Sequence, residues 1–376
     1  MRIVIAPDKF KGSLTSFEVC RFLAEGVRSV ADADGLGQFP LADGGDGFGP
    51  VLQHYLQTET VACATADPLG RPLQASYQWS PASRTAFIES AAASGLALLA
   101  QGERDPMVTS TFGTGLLVKA ALEKGAEKII LGLGGSATND GGTGILAALG
   151  FKLLDGAGQE LPPCGRSLLA LERLVPPPGL RPVPMELACD VQNPLYGPDG
   201  AAFVYGPQKG ASPEAVRQLD EGLRRWAEVL RRQTGTDVAH LPGAGAAGGM
   251  AAGLLAFFPV VLRKGIDLVV AASGLEARLA TADLLITGEG CIDAQSLQGK
   301  VVGRIAELGR QRGIPVIAFC GQNQLSAGAA ARAGLQFVFP LVNEFVSPED
   351  AIRNAGPLLR CAVVSSVLFL KKKGGP

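Results

Sequence analysis

Short β-forming runs, each followed by a polar or glycine-bearing loop and then a helical pattern, recur at both ends of this 376-residue chain. Residues 3–6 are apolar and β-rich and end in Pro7-Asp8. Thr15 or Ser16 caps the helix that follows, with Glu18 in its first turn. Phe17, Cys20, Phe22, Leu23 and Val27 then recur at helical spacing. A second strand, 38–42, runs into Asp43-Gly-Gly-Asp-Gly47, and a helix passes through Val51, Leu52, Tyr55 and Leu56. This βαβα order favours a parallel sheet.

The rhythm returns near the C-terminus. A strand at 284–287 ends in Gly288-Glu-Gly290, and a helix follows at 301–312. A strand at 315–320, an alanine-rich helix at 327–333, a strand at 337–341 and a last helix starting near 347–350 complete it. Five strands from the two chain ends form one flavodoxin-like sheet. The expected architecture is α/β, with one domain from 1–64 plus 283–376 and a second α/β domain inserted at 65–282. Its active site is expected in the cleft between them. Within the insert, 74–79 and 85–89 read as paired strands around Pro81-Ala-Ser83. An amphipathic helix at 111–124 turns Leu116, Leu117, Ala120 and Ala121 one way and stops at Gly125. Residues 176–184 are a proline-rich connector, and no repeat suggests a solenoid or propeller.

Charge excludes several partners. Lys and Arg number 34 against 35 Asp and Glu, a net charge of −1. No strong field holds a nucleic acid or an anionic membrane. The seven cysteines are scattered without a Cys-x-x-Cys pair, as in a reduced, cytoplasmic protein. The first apolar run is too short for a signal peptide. Residues 243–262 are nearly uncharged and span-length, yet five glycines and Pro259 point to a Gly/Ala loop leading into a helix. Lys371 to Lys373 read as a solvated tail. His54 and His240 are the only histidines, so a mechanism needing a histidine base has little to choose from.

Chemistry concentrates in Gly132-Leu-Gly-Gly-Ser-Ala-Thr-Asn-Asp-Gly-Gly-Thr-Gly144, between an apolar run at 129–131 and a helical one at 145–149. Clustered amides and a helix N-terminus suit a phosphate. Asp140 would repel a bare phosphate, so its presence suggests Mg²⁺ between them. No Lys-Ser/Thr pair makes this a Walker A loop. Gly132-x-Gly134-x-x-Ala137, with Asp155 downstream, imitates a dinucleotide fingerprint, but a loop running through Gly142 is too long for that tight turn. Polar clusters also follow the strands: Asp8, Lys9 and Lys11; Asp43 and Asp46; Glu289, Asp293 and Lys300; Asp190; and Lys209 in Gly206-Pro-Gln-Lys-Gly210. Singly each reads as a turn or cap. Asp-Gly-Gly occurs at both Asp43 and Asp140, which favours a metal–phosphate site.

At these residues the chain resembles the glycerate kinases of the bacterial type II family. The likeness rests on Ala6-Pro-Asp-Lys-Phe-Lys-Gly-Ser13, Leu41-Ala-Asp-Gly-Gly45, Phe87-Ile-Glu-Ser-Ala-Ala-Ala-Ser-Gly95 and the glycine loop. It continues through Ala188-Cys-Asp-Val191, Gly206-Pro-Gln-Lys-Gly-Ala211, Gly243-Ala-Gly-Ala-Ala-Gly-Gly249, Ile286-Thr-Gly-Glu-Gly290, Ile292-Asp-Ala-Gln-Ser296 and Gly299-Lys-Val301. The resemblance implies ATP- and Mg²⁺-dependent phosphorylation of D-glycerate at the 2-hydroxyl, on a flavodoxin-like domain carrying an insert. Cys291 stands where the family usually has arginine, Lys9 where serine is common and Val302 where proline is frequent. A missing arginine removes a bidentate phosphate donor, for which Lys300 or Arg304 could compensate.

With histidine scarce, Asp190 is the candidate base; its alternative is a cap before Asn193-Pro194. Lys11 with Ser13, and Arg71 in Pro68-Leu-Gly-Arg71, are candidates for the substrate carboxylate, with Asp8 and Asp43 beside them. Nucleotide phosphates are expected on Gly134, Gly135, Ser136, Thr138, Asn139, Gly141 and Gly142, with Lys209, Gly248 and Lys300. Metal candidates are Asp140, Glu289 and Asp293, with Asp43 as a further one. Gly245 to Gly249 permits close approach either to nucleotide or to a packed helix. Alternatives are a 3-phosphoglycerate product, another small hydroxy acid such as tartronate, or a sensor without catalysis. The assembly expected is a monomer or homodimer.

Overall fold

The computed structural model describes residues 1–31, 35–44, 47–179 and 181–372, so Asp46 and Lys373 lie outside the described residues. Two compact units emerge. The first comprises Met1–Asp43, Pro50–Tyr55 and Lys264–Pro376, and the second Gly44–Gly49 and Leu56–Arg263.

The first unit is built on a five-stranded parallel sheet of Ile3–Ile5, Gly37–Gln38, Leu284–Ile292, Val316–Asn323 and Phe337–Pro340. Numbered among themselves, these strands lie in the order 2-1-3-4-5, the flavodoxin-like arrangement expected from the two chain ends. Ile3 faces Leu284 on one side, and Val4 faces Gly37 on the other. The second strand is shorter than expected because Pro40 offers no N–H. Phe39 and Leu41 still donate to Ile5 O and Pro7 O at 2.8 and 3.0 Å. The third is longer, since Val316–Asn323 pairs with it as far as Ile292, and Glu289 and Cys291 are therefore strand residues, not loop.

Helix Ser16–Val30 begins in a capping box. The Thr15 N–H donates to Glu18 Oε2 at 2.8 Å, and the Glu18 N–H donates to Thr15 Oγ1 at 3.3 Å. Val19, Leu23 and Val27 repeat every fourth position and meet Leu359, Val363 and Val367 of helix Ala355–Lys372. Full burial of one such side chain contributes about 1.5–3 kcal/mol. Lys371, expected in a solvated tail, continues that last helix and donates from Nζ to Val30 O at 2.7 Å.

The second unit carries a six-stranded sheet. Val260–Arg263, Met185–Ala188, Lys128–Gly132 and Thr85–Glu89 run parallel, and Pro72–Ser80 and Glu59–Ala66 complete it antiparallel. The boundary expected at 64/65 falls inside strand Glu59–Ala66, whose partner across the ladder is Pro72–Ser80. The span-like segment breaks into a loop, a kinked helix Ala246–Phe257 and strand Val260–Arg263. No described helix is long and apolar enough to cross a membrane. Ile88, Ile129, Leu131 and Leu187 from the parallel strands join Leu117, Ile145 and Trp226 in one core. Trp226 belongs to helix Pro213–Thr234, which Ser212 caps with a bond from the Ala215 N–H.

Candidate active site

Parallel strands collect their loops at one edge, and the second unit uses this edge fully. Glu89 faces Gly132, and Gly132 faces Ala188, at the ends of three adjacent strands. Beyond these partners come Ser90, the glycine loop and Asp190, so the sheet alone places the candidate base beside the candidate phosphate loop. Leu133 N–H donates to Ala188 O at 3.2 Å, and Ser90 N–H to Gly132 O at 2.9 Å, which locks the three ends together.

The loop is mostly an interior structure. Gly135 is exposed and Gly134 half-buried, whereas Thr138, Asn139, Asp140, Gly141 and Gly142 are buried. Helix Thr143–Ala148 behind it has only six residues, so its dipole adds little. Side chains anchor the loop carbonyls instead. Thr109 Oγ1 donates to Ala137 O at 2.9 Å, Trp226 Nε1 to Gly141 O at 3.0 Å, and Lys209 Nζ to Thr138 O at 2.7 Å. Gly248 sits at φ +71° against the loop, where a Cβ would lie 2.1 Å from Thr138 O. Packing against the loop thus explains Gly248, which was expected to contact nucleotide.

Asp140, expected to hold metal, is placed otherwise. Its side chain is fully enclosed. The Thr111 N–H and hydroxyl each donate to Oδ2 at 2.8 Å, the Gly144 N–H donates to Oδ2 at 3.1 Å, and the Gly142 N–H donates to Oδ1 at 3.1 Å. Burial pushes this carboxyl up, and the bonds from Thr111, Gly142 and Gly144 pull against that. Both oxygens are engaged by protein donors. A carboxylate turned inward in this way is not presented to a ligand at the loop's outer turn.

Lys209 ends the turn Pro207–Lys209 and is 3% exposed. Besides Thr138 O, its ammonium donates to Ser136 Oγ at 3.0 Å. Burial lowers its pKa from 10.5 to about 7, with Asp140 opposing the shift from nearby. Among the described residues no carboxylate lies within ion-pair distance of it. Thr138 Oγ1, both polar atoms of the Asn139 side chain and Ser90 Oγ are also buried without partners. A cation and several unmatched polar groups at one loop suit an anion.

Asp190 is half-buried beyond strand Met185–Ala188. Nearby, Asn193 donates from Nδ2 to Asp199 O at 2.8 Å and accepts from the Tyr205 hydroxyl at 2.7 Å. Arg71 is not free for a substrate carboxylate: its guanidinium meets Asp67 and Glu103 at a hairpin turn. Asp67 Oδ1 also accepts the Leu69 and Arg71 N–H groups, so the residue serves the turn.

In the first unit, strand order reverses between Ile3–Ile5 and Leu284–Ile292, the point where such sheets bind ligands. Asp8 follows the first of these neighbours and Glu289 lies within the second, and the Asp8 N–H donates to Gly288 O at 2.8 Å. Both carboxyls are pushed up to about 7, chiefly by burial; Asp43 adds to the shift at Asp8, and Asp8 and Asp293 add at Glu289. Lys300, at the start of helix Val301–Arg312, counters both. Glu289 Oε1 is buried and unpartnered. Asp293 Oδ1 accepts from the Ser296 N–H and hydroxyl, so it closes its own turn. Lys11 is exposed. Ser13, expected to bind substrate, donates its hydroxyl to Ile352 O at 2.6 Å. Among the described residues no cluster of three or more His, Cys, Asp or Glu could form a metal cage. Two carboxylates can still hold a hydrated Mg²⁺, and the unpartnered Glu289 oxygen with Asp8 fits that need.

Thr109, Thr111 and Trp226, which shape the loop, escaped the sequence reading. Thr-Ser-Thr before Phe112 looks like an ordinary helix start, and nothing local marks Trp226 as the loop's donor.

A sequence model of the glycerate kinase family matches residues 3–369. A glycerate kinase of Halalkalibacterium halodurans is 42% identical over 97% of this chain and 98% of its own. A glycerate 2-kinase of Escherichia coli is 42% identical over 94% of each chain. A solved structure from Salmonella typhimurium LT2, assigned as glycerate kinase 2, superposes with a TM-score of 0.85 at 42% identity, covering 100% of this chain and 99% of that one. Fold and sequence agree over residues 3–369: this enzyme belongs to the glycerate kinase family.

Proposed function

We propose that the enzyme transfers the terminal phosphoryl group of ATP to the 2-hydroxyl of D-glycerate, giving 2-phosphoglycerate. Lys209 carries this reading. Desolvation lowers the Lys209 pKa to about 7 although Ser136 Oγ and Thr138 O accept from its Nζ, and an anion placed beside it restores the charge. A nucleotide phosphate at the turn Gly134 to Ser136, where Gly135 is exposed, supplies that anion. The name of the Escherichia coli relative supports glycerate as acceptor and the 2-position as product.

Phosphoryl transfer is largely positioning and charge neutralisation, with one group to take the hydroxyl proton. Asp190, beside the loop at the end of the neighbouring strand, takes that proton onto its carboxylate. Lys209 opposes charge building on the transferred group's oxygens. In the first unit Asp8 and Glu289 would hold Mg²⁺, a cation that supplies charge neutralisation in phosphoryl transfer. Lys11 and Lys300 are the cations of the first unit suited to the substrate carboxylate. All seven cysteines are free, which supports a reducing, cytoplasmic setting.

Incubation with ATP, Mg²⁺ and D-glycerate, read by phosphorus NMR, tests the proposal. A 2-phosphoglycerate signal is expected. The 3-isomer, or no phosphorylated glycerate, overturns it.

A further inference from the structure

We infer that Thr111 and Asp140 form a buried clip that presets the glycine loop for nucleotide phosphate, acting as positioning residues without touching the ligand. The inference rests on the reading that this loop receives phosphate.

Four donors from two segments meet one enclosed carboxylate. Thr111 supplies its N–H and its hydroxyl from the start of helix Phe112–Glu123; Gly142 and Gly144 supply N–H groups from the loop and its helix. The Thr111 oxygen also accepts the Ile145 N–H at 3.1 Å. Its single hydrogen points at Asp140 and its lone pair at Ile145, so the hydroxyl has one orientation. The close approach that this requires leaves no room for a side chain at residue 144, where a Cβ would lie 2.3 Å from Phe112 N.

The consequence is electrostatic as well as mechanical. Four hydrogen bonds converging on one buried carboxyl, each costly to leave unmade, hold its geometry. The acid is turned inward, where it fixes the loop, and the loop's exposed turn at Gly134 and Gly135 carries no carboxylate. Thr109, Lys209 and Trp226 anchor the carbonyls of the same loop, so its shape is settled before a ligand arrives.

Thr111→Val removes the hydroxyl and keeps the volume; Thr111→Ser keeps the hydroxyl. Calorimetry with a Mg²⁺-bound non-hydrolysable ATP analogue, beside steady-state kinetics, reads both. For Thr111→Val, Kd for the analogue and KM for ATP are expected to rise about tenfold, with KM for glycerate within about twofold, and Thr111→Ser should restore them. A Thr111→Val protein that melts earlier but binds as wild type, or a Thr111→Ser no better than Thr111→Val, overturns the inference. Amide exchange on the wild type covers the case where Thr111→Val does not fold. Gly142 and Gly144 should be protected equally with and without nucleotide, and protection that appears only with nucleotide overturns presetting. If wild type binds no analogue at all, the nucleotide reading falls, while the exchange result still judges the clip.

Discussion

Burial decides what each charged residue can do here, and Lys209 is the plainest case. An unfolded lysine keeps its proton up to 10.5, whereas Lys209 in the fold releases it above about 7. Between these values the unfolded chain binds more protons, so this group's contribution to stability rises with pH across that window and is lowest below it. Lys209→Met should flatten that rise, as unfolding midpoints from pH 6.5 to 9.5 would show. Anion binding should return the proton. At pH 8, calorimetry of the ATP analogue in buffers of different ionisation enthalpy is expected to show proton uptake in wild type and none from this group in Lys209→Met. Asp190→Asn tests the base: kcat should fall on the order of a hundredfold or more with glycerate binding largely kept. A loss of only a few-fold would exclude Asp190 as an essential base. Arg71→Ala should leave KM for glycerate within about twofold, because Asp67 and Glu103 already engage the guanidinium.

Among the elements, the glycine loop depends on a segment distant in sequence. Gly248→Ala places a methyl against Thr138 O and strains a left-handed backbone, with an expected loss on the order of 2–4 kcal/mol in denaturant titration. What the sequence made legible follows the strength of local signals. Thr15 and Glu18 announce a capping box, and helices Val301–Arg312 and Ala327–Ala333 lie where their patterns end in glycine. Strand Glu59–Ala66 was invisible because its small residues alternate weakly, and only its ladder with Pro72–Ser80 defines it. At the site, glycine density disclosed the loop, and residue type placed Lys209 and Asp190 near it. Which loop atoms face inward depends on Thr109, Thr111 and Trp226, whose role arises only through long-range packing. That is why Asp140 was legible as important yet misread as a metal ligand.

For the whole molecule, the division into two compact units predicts two unfolding transitions. Leu187→Ala should lower one and Leu359→Ala the other, each by roughly 2–5 kcal/mol, as calorimetric scans would resolve. A single transition moved by either substitution would show that the units unfold as one. The pairing of Ile3 with Leu284 has a consequence for biosynthesis. Strand Ile3–Ile5 leaves the ribosome long before Leu284–Ile292 exists, so the second unit, translated in between, is complete first. Strand Ile3–Ile5 therefore keeps one edge unpaired until the residues that separate it from Leu284 have been made.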